Sequence, residues 1–591
     1  MSLIMDPATI PDPFPAFSNR LAIDPSTLTF GVEQPLDIWQ LLTSDTLVGA
    51  DSIQASPHFL DSLGFGGAFL KSSGATQETI RTTTDTNERS TLGGSIEGVP
   101  ASDPTPEGVS VRGGEALSEV QSLVRDLSSR VTSALSPLSS RWLDCCLKLF
   151  WTQFIPTFPV MHPYTFDIRT ASAPLLLNMI AIGSLSLSGP ENRAKGIALW
   201  RLVHKSVAGS WDQLIEIKGP YDPCKGVQLV LTALLGQVFA TMSKITDLTQ
   251  TAMTYQGLIF RWCEVANIPQ SLLTGDVVPQ VSDDVSWRRW AALEATKRII
   301  LGHCVTDGTI SALFGVSPAA RYTLHPILLA SDDQSFLAST LESCIAVLPR
   351  SQPATLSSFV GALLSVGQLP PIPPSPLNIQ TVIECLNALV YDWDKSNGCA
   401  IGLTPATSLA KGLARLFPLI KAYPVALARW HAVSIYSAET FWRLDRATPF
   451  QESPFARRAL LHAVALRVMA DQLPIATSTF PDFTLPVSFF RGAMTLTKLP
   501  PSIGTSDNQP QLNLDLPIDW EELGLSGFVV EDNTGAMSAH KRFVLLGGNL
   551  SSRGALITYH DVQPFTAILS VFGRVWPASE TCAAAIDEVL W

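Results

Sequence analysis

The sequence predicts an all-α protein built as a large multi-helix array. Three observations carry this. Apolar residues recur at helical spacing from about residue 135 to the C-terminus, strand-like alternation is rare, and Pro, Gly and Asp break the pattern at short intervals. Of 591 residues, 46% are hydrophobic and only 16% charged, ample apolar surface for burying helix on helix. A chain of this length exceeds one core of ordinary size, so two helical halves are expected.

Residues 1–113 are rich in Pro, Ser, Thr, Gly and Asp, and the stretch from Gln77 to Gly114 has almost no apolar periodicity. Such a composition buries too little surface to offset ordering entropy, which predicts a disordered N-terminal region. Two apolar islands interrupt it, Leu36–Leu42 and His58–Phe69. Each reads either as a partner-binding segment that folds on contact or as a local helix packed on the main body.

From Glu115 to Leu135, Leu117, Val120, Val124, Leu127 and Val131 fall on one helical face, suited to docking on a larger domain. Ser140–Phe154 is the next helix. Pro156, Pro159 and Pro163 lack backbone N–H groups and fix φ, so the helix is expected to stop and the chain to turn there. Aromatic residues on both sides would pack that corner. Apolar helices follow at Leu175–Ile182, Asn192–Gly209, Gly226–Met242 and Thr249–Ala266. In Ser286–Phe314, Trp287, Trp290 and Glu294 lie along one side of a helix, and Glu294 can pair with Arg298 four residues on.

Leu369–Pro376 is proline-rich and predicts a stiff polyproline II spacer. Helices resume at Leu377–Trp393, Ala406–Leu416, Val425–Leu444 and Ser453–Leu473, the last with Ser453 as N-cap and Pro454 at the first helical position. Phe543–Leu546 and Ala555–Tyr559 flank a Gly-Gly-Asn turn and predict a small hairpin near the C-terminus. Closing helices run from Val562 to Trp591. The organisation is therefore 1–113 N-terminal region, 114–350 first helical half, 351–376 Pro-rich linker or insertion, and 377–591 second half.

Four islands in this order resemble the regulatory, or middle homology, domain of fungal-specific transcription factors. The corner Phe158-Pro159-Val160-Met161-His162-Pro163-Tyr164-Thr165-Phe166 is similar to that family's entry motif. Trp287, Trp290, Glu294, Lys297 and Arg298 resemble its tryptophan-marked helix, and the resemblance implies an Asp-containing break at Asp307 and a further helix with Phe314 after it. Trp430-His431 resembles its second-half helix, and Phe565, Leu569, Gly573 and Trp576 its closing helices. The resemblance implies that Phe158, Pro159, His162, Phe166, Trp287, Trp290, Glu294, Arg298, Trp430, His431, Gly573 and Trp576 form a scaffold, with Glu294–Arg298 as an internal ion pair. It implies a nuclear transcription regulator of metabolic or secondary-metabolite genes. Transcriptional co-regulators would be its partners, with a small-molecule effector or a homodimer also allowed. Family members place a zinc module ahead of this domain, yet residues 1–134 contain no cysteine. DNA would then be reached through a missing module or a partner, and this chain itself is expected to hold no zinc or other cofactor. Two alternatives remain: a co-regulator without direct DNA contact, and a helical scaffold recruited as a biosynthetic enzyme.

Composition narrows the choice. The formal net charge is −12, and basic residues gather only in pairs such as Arg288-Arg289 and Arg457-Arg458, which does not suit a phosphate-binding stripe. The nine cysteines are scattered, without Cys-x-x-Cys, and read as reduced core thiols. No apolar window reaches the length of a membrane span, and the first residues do not form a signal peptide. Phosphate-loop, nucleophile-elbow and His-Glu-x-x-His motifs are all missing, so no enzyme is expected. His431, without a second ligand at metal spacing, reads as a hydrogen-bonded core histidine.

Overall fold

The computed structural model describes residues 140–590, apart from 167–170, 172, 210–225, 258–259, 261–280, 322–326, 349–353, 366, 397–405, 445–447, 474–479, 500–510, 515–517, 524–536 and 553–554. The apolar islands and the helix expected at Glu115–Leu135 lie outside these residues. Within them the protein is an all-α array with one small sheet, as the sequence predicts. All described residues fall in one of the two units into which the chain divides.

Helix α1 (Ser140–Leu149) runs into a π-helical turn, Phe150–Phe154, and a last helical turn, Ile155–Thr157. The helix thus passes Pro156 rather than stopping before it. The amide of Ile155 bonds five residues back to Phe150 O, and Pro156 has no N–H to place. The wide turn aims Phe150, Trp151 and Phe154 inward, all buried. Helices α2 (Ala173–Ser184), α3 (Pro190–Gly209), α4 (Gly226–Thr241) and α5 (Thr246–Thr254) follow. α2 packs on α1, α3 and α4. Its contact with α1 is close because Gly183 has no side chain: a Cβ there would lie 1.9 Å from Cys146 O.

The long central helix α6 (Asp284–Phe314) is fixed at both ends. Asp283 and Ser286 form a reciprocal capping box, and Gly315 terminates it in the left-handed region at φ 67°. Its first half presents Trp287, Trp290, Ala291 and Glu294 to the core; from Arg298 to Ser311 it is buried all round. The break expected at Asp307 does not occur. Asp307 is buried and bonded by Gln256 and the Ala319 and Ala320 amides, and Gly308 is buried against Glu384, so tertiary contacts outweigh the weak local preference of those residues.

The chain next runs extended through Ile327–Ser331, forms two short helices, Asp333–Phe336 and Leu341–Val347, and returns to bridge Thr355 to Leu328 before α7 (Leu356–Leu364). Asn378 locks this strand-like segment: its amide accepts from Ala330 N at 2.8 Å and donates to Ala330 O at 2.9 Å. Helices α8 (Pro376–Lys395), α9 (Ala406–Ile420), α10 (Pro424–Leu444), α11 (Pro454–Gln472) and α12 (Leu485–Leu496) complete the array. α6 packs on α4 and α8; α8 packs on α10, and α10 lies against α11 and α12. Pro454 opens α11 as predicted, but the Ser453 hydroxyl is buried without a partner instead of capping.

The C-terminal part corrects one expectation. Phe543–Leu546 is not a strand but the end of helix α13 (Ala539–Leu546). The hairpin lies one step further on, with β2 (Asn549–Ser552) antiparallel to β3 (Ala555–Leu556). β1 (Gln511–Asn513) adds in parallel on the other edge of β2. An apolar run of this length fits either element, and burial of Phe543 and Val544 on one helical face decided it.

Helices α14 (Gln563–Phe572) and α15 (Ala578–Leu590) close the chain against α12. Between them Trp576 is fully buried, donates to Pro481 O at 2.8 Å and meets Phe480 edge-on at 4.9 Å. Phe480 in turn meets Phe154, and Phe483 meets Phe158. Ala578 N donates to Met242 O and Lys244 pairs with Glu580, so the last helices are tied directly to the first.

These ties generate a prediction. Trp576→Ala should destabilise the chain by about 3–5 kcal/mol, as expected for removing a fully buried aromatic residue. A fragment ending after α7 should show no cooperative thermal transition by circular dichroism, whereas residues 137–591 should show one. Equal melting of the two would refute the dependence.

Candidate functional site: two buried charge nodes along one helix

The unusual chemistry of this core lies along α6, where two desolvated guanidinium nodes meet the helix at Arg298 and at Gly308, positions about 15 Å apart by helical rise. At the first, Arg298 has no exposed surface. Its guanidinium donates to Pro159 O at 3.2 Å and to Ser331 O at 2.8 Å, and stacks over the Phe336 ring at 4.0 Å. Asp333 Oδ1 lies 2.8 Å from Nη1 in ion-pair contact, though not as an aligned hydrogen bond. Glu294, equally buried, is only 3.9 Å from Arg298 Nε. Its nearer partners are Lys297 Nζ at 2.9 Å and the Ser331 amide. Burial pushes the Glu294 carboxyl up, but the charges of Lys297 and Arg298 and the two hydrogen bonds outweigh this and hold it below the usual range.

The corner is built against this node. His162 Nδ1 faces the Thr165 amide at 3.1 Å and the Thr165 hydroxyl at 2.9 Å, closing the turn. Its ring packs edge-on against Trp287 and Phe336. Burial, with Arg298 and Arg288 nearby, lowers its pKa to about 4, so the ring is neutral. Phe166 packs on Trp151. The structure therefore brings Phe158, Pro159, His162, Phe166, Trp287, Trp290, Glu294 and Arg298 into one continuous region.

Sequence reasoning missed the second node. Glu384 on α8 and Arg429 on α10 form a bidentate ion pair, both nearly without exposure; Arg429 Nη2 bonds Glu384 Oε2 at 2.8 Å and Nε bonds Oε1. Arg429 also reaches Gly308 O on α6 at 3.4 Å, and Asn387 donates to Glu384. Glycine at 308 leaves room for this carboxylate: a Cβ would sit 1.9 Å from Glu384 Oε2, so any larger residue must displace Glu384 from its place. The sequence does hold a signal. Neither Glu384 nor Arg429 has an opposite charge three or four residues away, and both sit in apolar runs, so each needed a partner from elsewhere. Beside this node, Asp307 accepts from Gln256, Ala319 N and Ala320 N. Burial raises its pKa to about 6 against those bonds.

Trp430 and His431 belong to a separate aromatic group. Trp430 donates to Leu413 O, holding α10 on α9. His431 Nδ1 lies 2.9 Å from His462 Nδ1, so one imidazole donates and the other accepts. Trp520 stacks on His462 at 4.2 Å. Burial lowers His431 to about 3; burial, then His431 and Arg458, take His462 well below the usual value. Gly573 and Trp576 lie with the closing helices and touch neither node. Among the described residues no group of three His, Cys, Asp or Glu side chains is placed to hold a metal, and no helix is long and apolar enough to cross a membrane.

Two expectations follow. Arg429→Met should destabilise by about 3–5 kcal/mol by stranding Glu384, while the paired Glu384→Met, Arg429→Met change should cost less than either single change in urea denaturation. Stability should also fall with acidification. Burial lowers His162, His303 and His431 to about 4, 3 and 3 in the folded chain and holds His462 well below the usual imidazole value. The unfolded imidazoles take up protons near pH 6.5, so the unfolded state gains protons first and stability drops as pH falls below that value. Asp307, raised to about 6, acts in the opposite sense as a single group. The denaturation midpoint should thus decrease between about pH 7 and about pH 4, and a rise would contradict the assignment.

Residues 147–365 match the family described as fungal specific transcription factor domain. The chain is 22% identical over 294 residues to zinc finger protein klf1 of Schizosaccharomyces pombe, covering 48% of this chain and 36% of that protein. It is 24% identical over 254 residues to zinc finger protein zas1 of the same yeast, covering 42% of this chain and 27% of that protein. The chain thus spans about a third of the length of these curated relatives. No solved structure matches it. The matched span holds the corner and all of α6; Trp430-His431 and Gly573/Trp576 lie beyond it. Over residues 147–365 the chain is similar to the fungal specific transcription factor domain.

Proposed function

We propose that this chain is a fungal transcription regulator, acting in the nucleus, whose helical domain governs metabolic or secondary-metabolite genes. The observation that carries this reading is the family match over the corner and α6. The likeness to two zinc finger proteins supports it. In this reading 114–350 and 377–591 are two halves of one regulatory domain, with 351–376 between them. The twelve scaffold residues, from Phe158 to Trp576, serve packing and not catalysis. A small-molecule effector or a second copy of the chain would act on that array, and co-regulators would receive the output.

The net charge of −12 and the cysteine-free first 134 residues favour contact with DNA through a separate zinc module or a partner rather than through this chain's own surface. The test has two arms. Deleting the coding sequence should change transcript levels of a defined set of metabolic genes, and unchanged transcripts would end the regulatory reading. The purified chain should give no sequence-specific gel shift at low salt, whereas a specific shift would show that it reads DNA alone.

A further inference from the structure

We propose that Arg491, where α12 faces α10, anchors a binding site for a small monocarboxylate. The observation that carries this is a guanidinium left without a partner. Among the described residues Arg491 makes no ion pair, and its side-chain N–H groups donate no hydrogen bond. Its guanidinium carbon lies 4.5 Å from the centre of the Tyr436 ring on α10, which covers one face of the planar group and leaves its edge without an acceptor. The side chain is half-buried. Burial lowers its pKa from the ordinary arginine value; Glu439 opposes this, and Arg429 and Arg443 add to it. A surface arginine served by water alone would not be desolvated in this way. A charge removed from water and left unpaired is costly until an acceptor reaches it.

Each neighbouring cation has its own acid. Arg443 pairs with Asp394 at 2.8 Å, and the Tyr436 hydroxyl donates to the same carboxylate at 3.2 Å. Lys498 pairs with Glu439, which also accepts from the Thr495 hydroxyl at 2.9 Å. Arg429 holds Glu384. These charges cancel pair by pair and leave Arg491 as an excess of one. Asp394 and Glu439 are already engaged, so the balancing charge has to come from a ligand.

Charge and shape select that ligand. The edge of a guanidinium offers two parallel N–H groups that match the two oxygens of a carboxylate. One negative charge balances the excess, whereas a phosphate dianion would exceed it and be repelled by Asp394 and Glu439. The Tyr436 ring supplies an apolar wall for the body of the ligand. Solvent reaches this place, since the side chains of Arg443 and Lys498 are 42% and 36% exposed. The proposal gives the small-molecule effector of the regulatory reading a chemical class. Only that link rests on the reading; the binding itself does not, and its failure would leave the transcript experiment untouched.

The purified chain is titrated calorimetrically with sodium benzoate, with benzamide as the neutral isostere and inorganic phosphate in parallel. Benzoate should bind saturably at one site, and benzamide should not bind. Arg491→Lys, which keeps the charge and loses the planar fork, should weaken benzoate binding roughly tenfold or more. Arg288→Gln, at an exposed arginine near the start of α6, should leave it unchanged. Phenylglyoxal labelling of the unaltered chain reads the same site without a variant: mass spectrometry should find Arg491 modified in the free chain and protected by benzoate. Absence of benzoate binding, tighter binding of phosphate or benzamide, equal binding by Arg491→Lys, or an Arg491 that is unreactive or unprotected would each overturn the proposal.

Discussion

A guanidinium without water must find acceptors inside the protein, and Arg298 finds them on the main chain. It closes on Pro159 O of the corner and Ser331 O of the extended segment, two places where the backbone leaves regular structure. Buried carbonyls outside helices need donors, and a fixed planar fork supplies two at once. The same device recurs. Arg193 reaches Gly573 O and Arg574 O, Arg415 gathers the carbonyls that end α7, and Arg457 binds Gln451 O, Glu452 O and Val544 O. Few charges are present in this chain, and many of its arginines hold loops onto helices rather than facing solvent.

This explains how an array of mostly apolar helices keeps a single arrangement. Apolar burial favours compaction but tolerates many registers. Carbonyl clasps and the Glu384–Arg429 pair do not tolerate them, because a shifted register strands a charge. The aromatic contacts from Phe154 through Phe480 to Trp576 add shape restrictions across the length of the chain. The segment matching the family and the helices beyond it consequently share one core.

Much of this was legible beforehand, and the reasons differ by element. Helical spacing marked α3, α4, α8, α10 and α11, because amphipathic and buried helices both leave long apolar runs. The corner was legible from proline and aromatic content, and Trp287, Trp290 and Glu294 do share a face. Asp307 misled because the family likeness implies an acidic break there; in the structure the helix runs on, and the carboxylate accepts from Gln256, 51 residues earlier, and from Ala319 N and Ala320 N in the segment after the helix. The strand expected at Phe543–Leu546 misled because four apolar residues carry no period of their own. The second node was hidden for a similar reason. Pairing between Glu384 and Arg429 spans 45 residues, and nothing local specifies which acid meets which base.

The glycine beneath that pair has a consequence for how such chains can diverge. With a carboxylate oxygen occupying the space of a β-carbon at 308, that position admits no larger residue unless position 384 retreats at the same time. Shortening 384 to aspartate would free the space but pull the acid away from Arg429. The three sites are thus coupled: a side chain at 308 needs a prior or simultaneous change at 384, and a change at 384 leaves Arg429 to be exchanged with it.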